Sequence, residues 1–373
     1  MAEKSGFAGS DIHGDVKDYY DNVLKTTSDL KTDVCVAPNR PTPAFVLQAL
    51  KKVHPEVIKR FYGCGMVVPE GLEGCRMLDL GSGSGRDCYI LSQLVGEKGH
   101  ITGIDMTKGQ VEVAQKHVDY HMKEFGYKKP NIRFVQGFIE ALADVGLEKN
   151  SFDIMVSNCV VNLSPDKKKV LAEAYSMLKD GGEIYFSDVY SSGRLPEEVK
   201  KNKILWSECL GGSLWWKDLL QLAEDVGFSP PRLVIASTIA VGNKELQNIL
   251  GDFKFVSATY RLFKIPKGNS KPCQVVYKGG ISGVEDSFQF DCQYTFKANE
   301  AVEVDGAMAS ILTLSRFAKN FTFQPAGGPC EPSGVQNKVS AVDPFELAVQ
   351  LEKRGAGSAT GGCCSTQSAS CCK

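Results

Sequence analysis

Four cysteines stand in settings where a thiol does chemistry rather than fill space. Cys159 lies in Ser157-Asn158-Cys159-Val160-Val161-Asn162, directly after a predicted strand. Cys209 lies in Glu208-Cys209-Leu210-Gly211-Gly212, where a helix end runs into a glycine loop. Cys64 is flanked by Gly63 and Gly65, and Cys35 sits in a polar stretch ahead of Pro38. Thiolates are soft ligands and good nucleophiles, so such a set suits a soft metal or metalloid, or thiol–disulfide exchange. Cys75, Cys88, Cys273, Cys292 and Cys330 read instead as small buried hydrophobes.

A second constellation is a glycine loop. Asp79-Leu80-Gly81-Ser82-Gly83-Ser84-Gly85 follows the first predicted strand, and Asp105 ends the second, about 20 residues on. Glycines at such a turn let backbone approach a ligand closely, and the acid suits ribose hydroxyls. A dinucleotide site would want G-x-G-x-x-G with a pyrophosphate on the helix N-terminus. Here the carboxylate of Asp79 guards the loop, which favours a ligand with an amino group and no pyrophosphate. The loop resembles the first motif of class I S-adenosylmethionine-dependent methyltransferases. That resemblance implies that Asp79, Gly81, Ser82, Gly83 and Gly85 surround the methionyl part, Asp105 holds the ribose and Met106 packs on adenine. Its third contact would fall on Phe138-Ile139-Glu140, with Ile139 and Glu140 facing the cofactor, and Asn158 belongs to the same set.

These residues need a frame. Strands are predicted at Arg76–Leu80, His100–Asp105, Ile132–Gln136, Phe152–Ser157 and Glu183–Val189. Helices fall between them at Arg86–Val95, Gln110–Phe125 and Lys167–Leu178, the last closed by Gly181-Gly182. Repeated strand–helix units imply a doubly wound, mostly parallel sheet of the Rossmann-like kind, with helices on both faces. The pattern continues through a helix at Trp215–Val226 and strands at Leu233–Ala240 and Phe255–Leu262. Four segments follow: N-terminal helices carrying reactive thiols (1–70), the cofactor-binding domain with the cysteine site (71–266), a small β-rich domain (267–326) and a Gly/Ser/Cys tail (327–373). The β-rich part has strands at Gln274–Tyr277, Phe288–Phe296 and Ala301–Val304. The tail carries one helix at Pro344–Lys353 and otherwise too little apolar content to order.

Other candidates are weaker. His117 and His121 have the i, i+4 spacing of a metal pair, but no third ligand is evident on their helix, and a solvated face is the plainer reading. Trp215-Trp216 reads as packing, and no nucleophile–base–orienter triad is visible. The Pro-Pro-aromatic signature of amino methylation on nucleic acids is absent after the fourth strand.

Taken together, Arg60-Phe61-Tyr62-Gly63-Cys64-Gly65, the glycine loop through Arg86-Asp87-Cys88, Ser157-Asn158-Cys159-Val160 and Glu208-Cys209-Leu210-Gly211-Gly212 resemble the arsenite methyltransferases, animal members in particular. The likeness spans about residues 16–325 and the Gly-Gly-Cys-Cys tail. It implies that Cys159 and Cys209 are permanent As(III) ligands. It makes Cys64 the third ligand and disulfide partner, Cys35 the thiol that resolves the disulfide, and Tyr62 a residue shaping the site. Substrates would be arsenite and monomethyl As(III) as thiol conjugates, and the reductant thioredoxin or glutathione. The tail pairs Cys363-Cys364 and Cys371-Cys372 either capture arsenic, feed electrons or do nothing.

Composition agrees. With 43 basic and 44 acidic residues the net charge is −1, which argues against a nucleic-acid binder. No apolar run approaches the ~18 residues of a membrane span, and the polar N-terminus resembles neither signal nor transit peptide. A cytosolic monomer with free thiols is expected. Two rivals are a lipid or quinone methyltransferase of the same fold, indifferent to these cysteines, and a thiol protein that only sequesters soft metals. If the roles implied by the resemblance hold, Cys35→Ser will spare methylation of monomethyl As(III) more than that of arsenite in a paired assay. Equal loss on both substrates would remove that role from Cys35.

Overall fold

The structure, a computed structural model, describes residues 9–20, 24, 42–63, 66–266, 271–325 and 341–358. Cys35, Cys64, Cys330 and the four tail cysteines lie outside the described residues. The main sheet is built from β1 (Arg76–Leu80), β2 (His100–Asp105), β3 (Ile132–Gln136), β4 (Phe152–Asn158), β5 (Leu178–Ser191), β6 (Leu214–Trp215), β7 (Arg232–Ile239) and β8 (Phe255–Phe263). Its order is β3-β2-β1-β4-β5-β8-β7, with β6 beside the end of β5. All pairs among β1–β6 are parallel, and β8 runs antiparallel between β5 and β7. The order reverses between β1 and β4. In open α/β sheets that point opens a crevice at the carboxyl ends of the strands.

Most elements are explained by period. The helix Arg86–Val95 buries Cys88, Tyr89, Ile90 and Leu91 against the sheet, and the buried parallel strands β1 and β4 are mostly apolar runs. Several expectations need correction. The single helix over Gln110–Phe125 is two, Lys108–Lys116 and Val118–Phe125, broken at His117. His117 and His121 are both buried, not on a solvated face. Gly181-Gly182 does not close a helix but lies inside β5, which pairs with β4 at Leu178 and resumes at Glu183 after an irregularity. Gly181 has φ +78°, and a Cβ there would meet the Leu314 carbonyl at 2.1 Å. The reason for the glycine is therefore the approach of the C-terminal unit.

That unit has β9 (Cys273–Tyr277) between β12 (Ala301–Val304) and β13 (Phe321–Pro325), all antiparallel. The strand expected over Phe288–Phe296 is a hairpin, β10 (Ser287–Gln289) with β11 (Thr295–Lys297). Its core is aromatic: Tyr277, Phe288, Phe290, Phe296, Phe317 and Phe321 interlock. A helix at Gly306–Leu314, not expected from the sequence, is capped by Asp305, which accepts from the Met308 amide at 2.7 Å.

Two buried arginines, opposite each other on β7 and β8, tie this unit to the main sheet. The fully buried Arg261 guanidinium bonds Glu183 at 2.5 and 3.3 Å, donates to the Phe290 carbonyl at 3.0 Å and lies 4.3 Å over the Phe290 ring. Arg316 reaches the same Glu183 at 2.5 Å and also donates to the Glu70 carbonyl. Arg232 faces Asp291 and Asp305 at 3.6 and 3.3 Å. Burial alone would push the Glu183 carboxyl up, but the Arg261 and Arg316 charges outweigh it and hold it below its ordinary value. That stabilisation is complete above the unfolded carboxyl range near ~4.3 and is lost as pH falls through the depressed folded value. Removing one partner strands a buried charge, so Arg261→Leu is expected to cost about 3–5 kcal/mol in a denaturant titration. A loss below ~1 kcal/mol would show that the cluster is dispensable.

Candidate active site

The glycine loop needs its glycines for geometry. Gly81, Gly83 and Gly85 have φ of +74°, +51° and +87°, a region that costs other L-residues roughly 1–2 kcal/mol. A Cβ on Gly81 would lie 2.4 Å from the Val160 side chain, and one on Gly85 2.7 Å from the Phe134 ring; at Gly83 it meets nothing within 4 Å. Gly81 and Gly85 are thus fixed by packing, whereas Gly83 faces open space. Its amide donates to Asp105 at 2.9 Å, and the Thr107 amide donates to the other Asp105 oxygen at 2.8 Å, which fixes that carboxylate at the end of β2.

Asp79 is buried at the end of β1. Burial first, then the neighbouring Asp87, push its carboxyl up to about 7, while the Cys88 thiol donates to it at 3.1 Å. Cys88, expected as packing only, therefore also touches the site. Asn158 donates to Asp87 at 3.2 Å. Met106, Ile139 and Glu140 line the same cavity as the loop, together with Tyr62, Asn158 and Cys159. The cavity is concave and open to solvent at its mouth.

Cys159 and Cys209 share an unusual backbone. Apart from Asn150 and Asn299, they are the non-glycine residues with positive φ among the described residues, at +56° and +65°. Cys209 follows the helix Lys203–Ser207 and its capping Glu208, the place where a helix commonly ends on glycine. A cysteine is held in that conformation instead, and strain of this kind concentrates at functional sites. The two turns touch. The Cys209 thiol donates to the Cys159 carbonyl at 3.0 Å, and Trp206 Nε1 to the Leu163 carbonyl at 3.1 Å. A Cβ on Gly212 would lie 2.1 Å from the Asn162 carbonyl oxygen, so Gly212 is required by this contact. Asn162 is in turn held by the buried Asp188 of β5, at 3.0 Å through its amide and 2.7 Å through its side chain. Burial pushes Asp188 up to about 7.

Cys159 is disulfide-bonded. Cys75, Cys88, Cys209, Cys273 and Cys292 are thiols. The segment carrying Tyr62 comes close as well, since a Cβ on Gly63 would lie 3.0 Å from the Asn158 side chain.

The glycine loop and the strained Cys159 turn thus meet at one crevice, with Cys209 buried against that turn. Residues 72–227 match a methyltransferase domain and residues 270–372 the arsenite methyltransferase C-terminal domain. The arsenite methyltransferase of Rattus norvegicus is 57% identical over 359 residues, covering 95% of this chain and 97% of its own length. This chain belongs to the arsenite methyltransferase family. The Homo sapiens arsenite methyltransferase is 55% identical over 96% of this chain and 98% of its own. Among solved structures, an arsenic (III) S-adenosylmethionine methyltransferase from Chlamydomonas reinhardtii superposes with a TM-score of 0.73 at 45% identity, covering 77% of this chain and 97% of that one.

In this arsenite methyltransferase several cavity residues stand outside the site predicted from the sequence. The helix Gly9–Asp18 lays His13 and Val16 over the cavity, and Tyr20 joins them two residues past its end. His13 Nε2 pairs with Glu140 at 2.9 Å, and the Ser164 hydroxyl donates to the same carboxylate at 2.5 Å. Burial raises the Glu140 carboxyl, but these bonds prevail and lower it. Tyr19 donates to Glu208 at 2.5 Å, next to Cys209. Gln110 contributes from the following helix, and Phe61 lies under the Arg86 guanidinium, 3.0 Å from ring centre. Hydrogen bonds spanning 127 and 189 residues leave no local pattern to read. The loop geometry separates two glycines experimentally. Gly85→Ala should lower thermal stability, while Gly83→Ala should cost only the ~1–2 kcal/mol of its backbone conformation but weaken S-adenosylmethionine binding by about tenfold or more. Calorimetric titration and melting curves distinguish the two, and equal stability losses with unchanged cofactor affinity would contradict the assignment.

Proposed function

We propose that this chain methylates trivalent arsenic with S-adenosylmethionine, and that Cys159, Cys209 and Cys64 hold the arsenic as thiolates during transfer. The carrying observation is the hydrogen bond from the buried Cys209 thiol to the Cys159 carbonyl, which joins a second left-handed cysteine turn to the one lining the crevice. The cavity fits the cofactor. The Ser82 hydroxyl is buried there without a hydrogen-bond partner, and Gly83 leaves its side-chain position open. Asp79 and the loop Gly81-Ser82-Gly83-Ser84-Gly85 would hold the methionyl part, Asp105 the ribose and Met106 the adenine, with Ile139, Glu140 and Asn158 completing the wall. When bound, the cofactor supplies an electrophilic methyl group on a sulfonium.

The protein's work is then alignment. As(III) in a trigonal set of thiolates keeps a lone pair, which attacks the methyl directly. No proton leaves the acceptor, so no general base is required. Soft thiolates suit soft As(III) better than carboxylates or imidazoles. Transfer makes the arsenic formally pentavalent. Two thiols give up two electrons by closing a disulfide, which restores As(III), and an external dithiol or glutathione reduces the disulfide by exchange. The disulfide at Cys159 supports a place for this residue in such exchange as well as in binding. In this reading Cys64 closes the disulfide, Cys35 resolves it and Tyr62 shapes the acceptor side. The substrates are arsenite and monomethyl As(III), delivered as thiol conjugates to a cytosolic monomer. Segments 1–70, 71–266, 267–326 and 327–373 act respectively as thiol-bearing cover, catalytic domain, β-rich buttress and tail.

Among the described residues no helix is long and apolar enough to cross a membrane. Cys159→Ser and Cys209→Ser should each abolish turnover with labelled S-adenosylmethionine, arsenite and a thiol reductant, and weaken As(III) binding. Near-normal turnover in either variant would overturn the ligand assignment.

A further inference from the structure

Away from the crevice, a second group of ligating side chains comes together. His54 caps the helix Pro55–Lys59, Glu56 sits in its first turn, and His117 stands at the break between Lys108–Lys116 and Val118–Phe125. Each offers one ligand atom, and the three atoms lie within 4.8 Å of one another. The His54 and His117 rings stack with centroids 3.8 Å apart, and His117 Nε2 approaches Glu56 Oε2 at 2.8 Å.

The surroundings hold this arrangement in place. The buried His121 ring accepts from the His54 amide at 3.1 Å and bonds the His117 carbonyl at 2.7 Å, linking the two segments behind the cluster. Burial lowers His121 to about 4, which keeps that ring neutral. A cation already visits the front: the Lys116 ammonium lies 2.8 Å from Glu56 Oε2. Together Lys116 and His117 draw Glu56 down to about 2. Tyr120 closes one side, edge-on to His54 at 4.9 Å.

We propose that His54, Glu56 and His117 form a site for a borderline divalent cation such as Zn2+ or Co2+, with water completing the coordination. Two imidazoles and a carboxylate are the ligand types such ions take. Bonds of ~2.0–2.2 Å would set tetrahedral ligand atoms roughly 3.4 Å apart. Small torsions of the half-exposed His54 and Glu56 therefore close the site, with Lys116 swinging into solvent. The ion would staple residues 54–63 to the helix Lys108–Lys116. That segment also touches the glycine loop, where Ser84 donates to the Val57 carbonyl at 2.8 Å, and it carries Phe61 and Tyr62 into the cavity. The site is thus a positioning element for the cavity wall, with no part in the transfer itself.

Co2+ tests this on the full reduced chain, because thiolate ligation adds an intense charge-transfer band that nitrogen and oxygen ligands lack. Equilibrium dialysis should find one bound Co2+ without that band, retained in a Cys159→Ser/Cys209→Ser variant. Glu56→Gln and His117→Ala should each weaken it by about tenfold or more, whereas Lys116→Ala should tighten it by removing the competing cation. Circular dichroism shows whether each variant is folded, and the half-exposed Glu56 keeps the test decisive if His117→Ala unfolds. Equal Co2+ affinity in wild type and Glu56→Gln, or no tightening in Lys116→Ala, would overturn the proposal.

Discussion

The site depends on the contact between two turns that neither turn would adopt alone. Cys159 ends β4 in a left-handed conformation and Cys209 ends a helix in another, each costing roughly 1–3 kcal/mol. The Cys209 thiol on the Cys159 carbonyl, Trp206 on Leu163 and the glycine at 212 repay part of that cost, and Asp188 anchors Asn162 from β5. The same turn reaches the other half of the site. Val160, the residue after Cys159, packs where a side chain on Gly81 would stand. Displacing the cysteine turn therefore displaces the cofactor loop. In the proposed reading, one valine therefore couples the two reactant positions.

The rest of the molecule supports that geometry from behind. β5 supplies both Asp188, under the cysteine turns, and Glu183, in the buried arginine cluster that secures the C-terminal unit. One strand thus runs from the active crevice to the domain contact. In front, the N-terminal segment lies over the cavity through His13 on Glu140 and reaches the Cys209 turn through Tyr19 on Glu208.

Much of this was legible in the sequence, for definable reasons. β1, β2 and β3 begin and end where hydrophobic period and turn residues place them, because buried parallel strands are apolar runs bounded by polar or glycine turns. The glycine loop, Asp105 and Cys159 sit at carboxyl ends of strands, where ligands bind in this fold, and Cys209 sits past a helix end beside them. What stayed hidden depends on distant partners. Gly181-Gly182 looks like a helix stop, yet the glycines serve contact with Leu314 across more than a hundred residues. The break at His117 has no proline or glycine to announce it. Its ring packs on His54, and only the fold brings them together. His13 and Glu140 meet for the same reason.

The central claim is that sulfur alone holds the arsenic at the two joined turns. X-ray absorption at the arsenic edge, on reduced full-length protein loaded with one equivalent of As(III), measures this directly. The account predicts a first shell of three sulfur atoms, falling to two with an added oxygen in Cys209→Ser. A shell containing oxygen or nitrogen in the wild type, or an unchanged shell in Cys209→Ser, would contradict it.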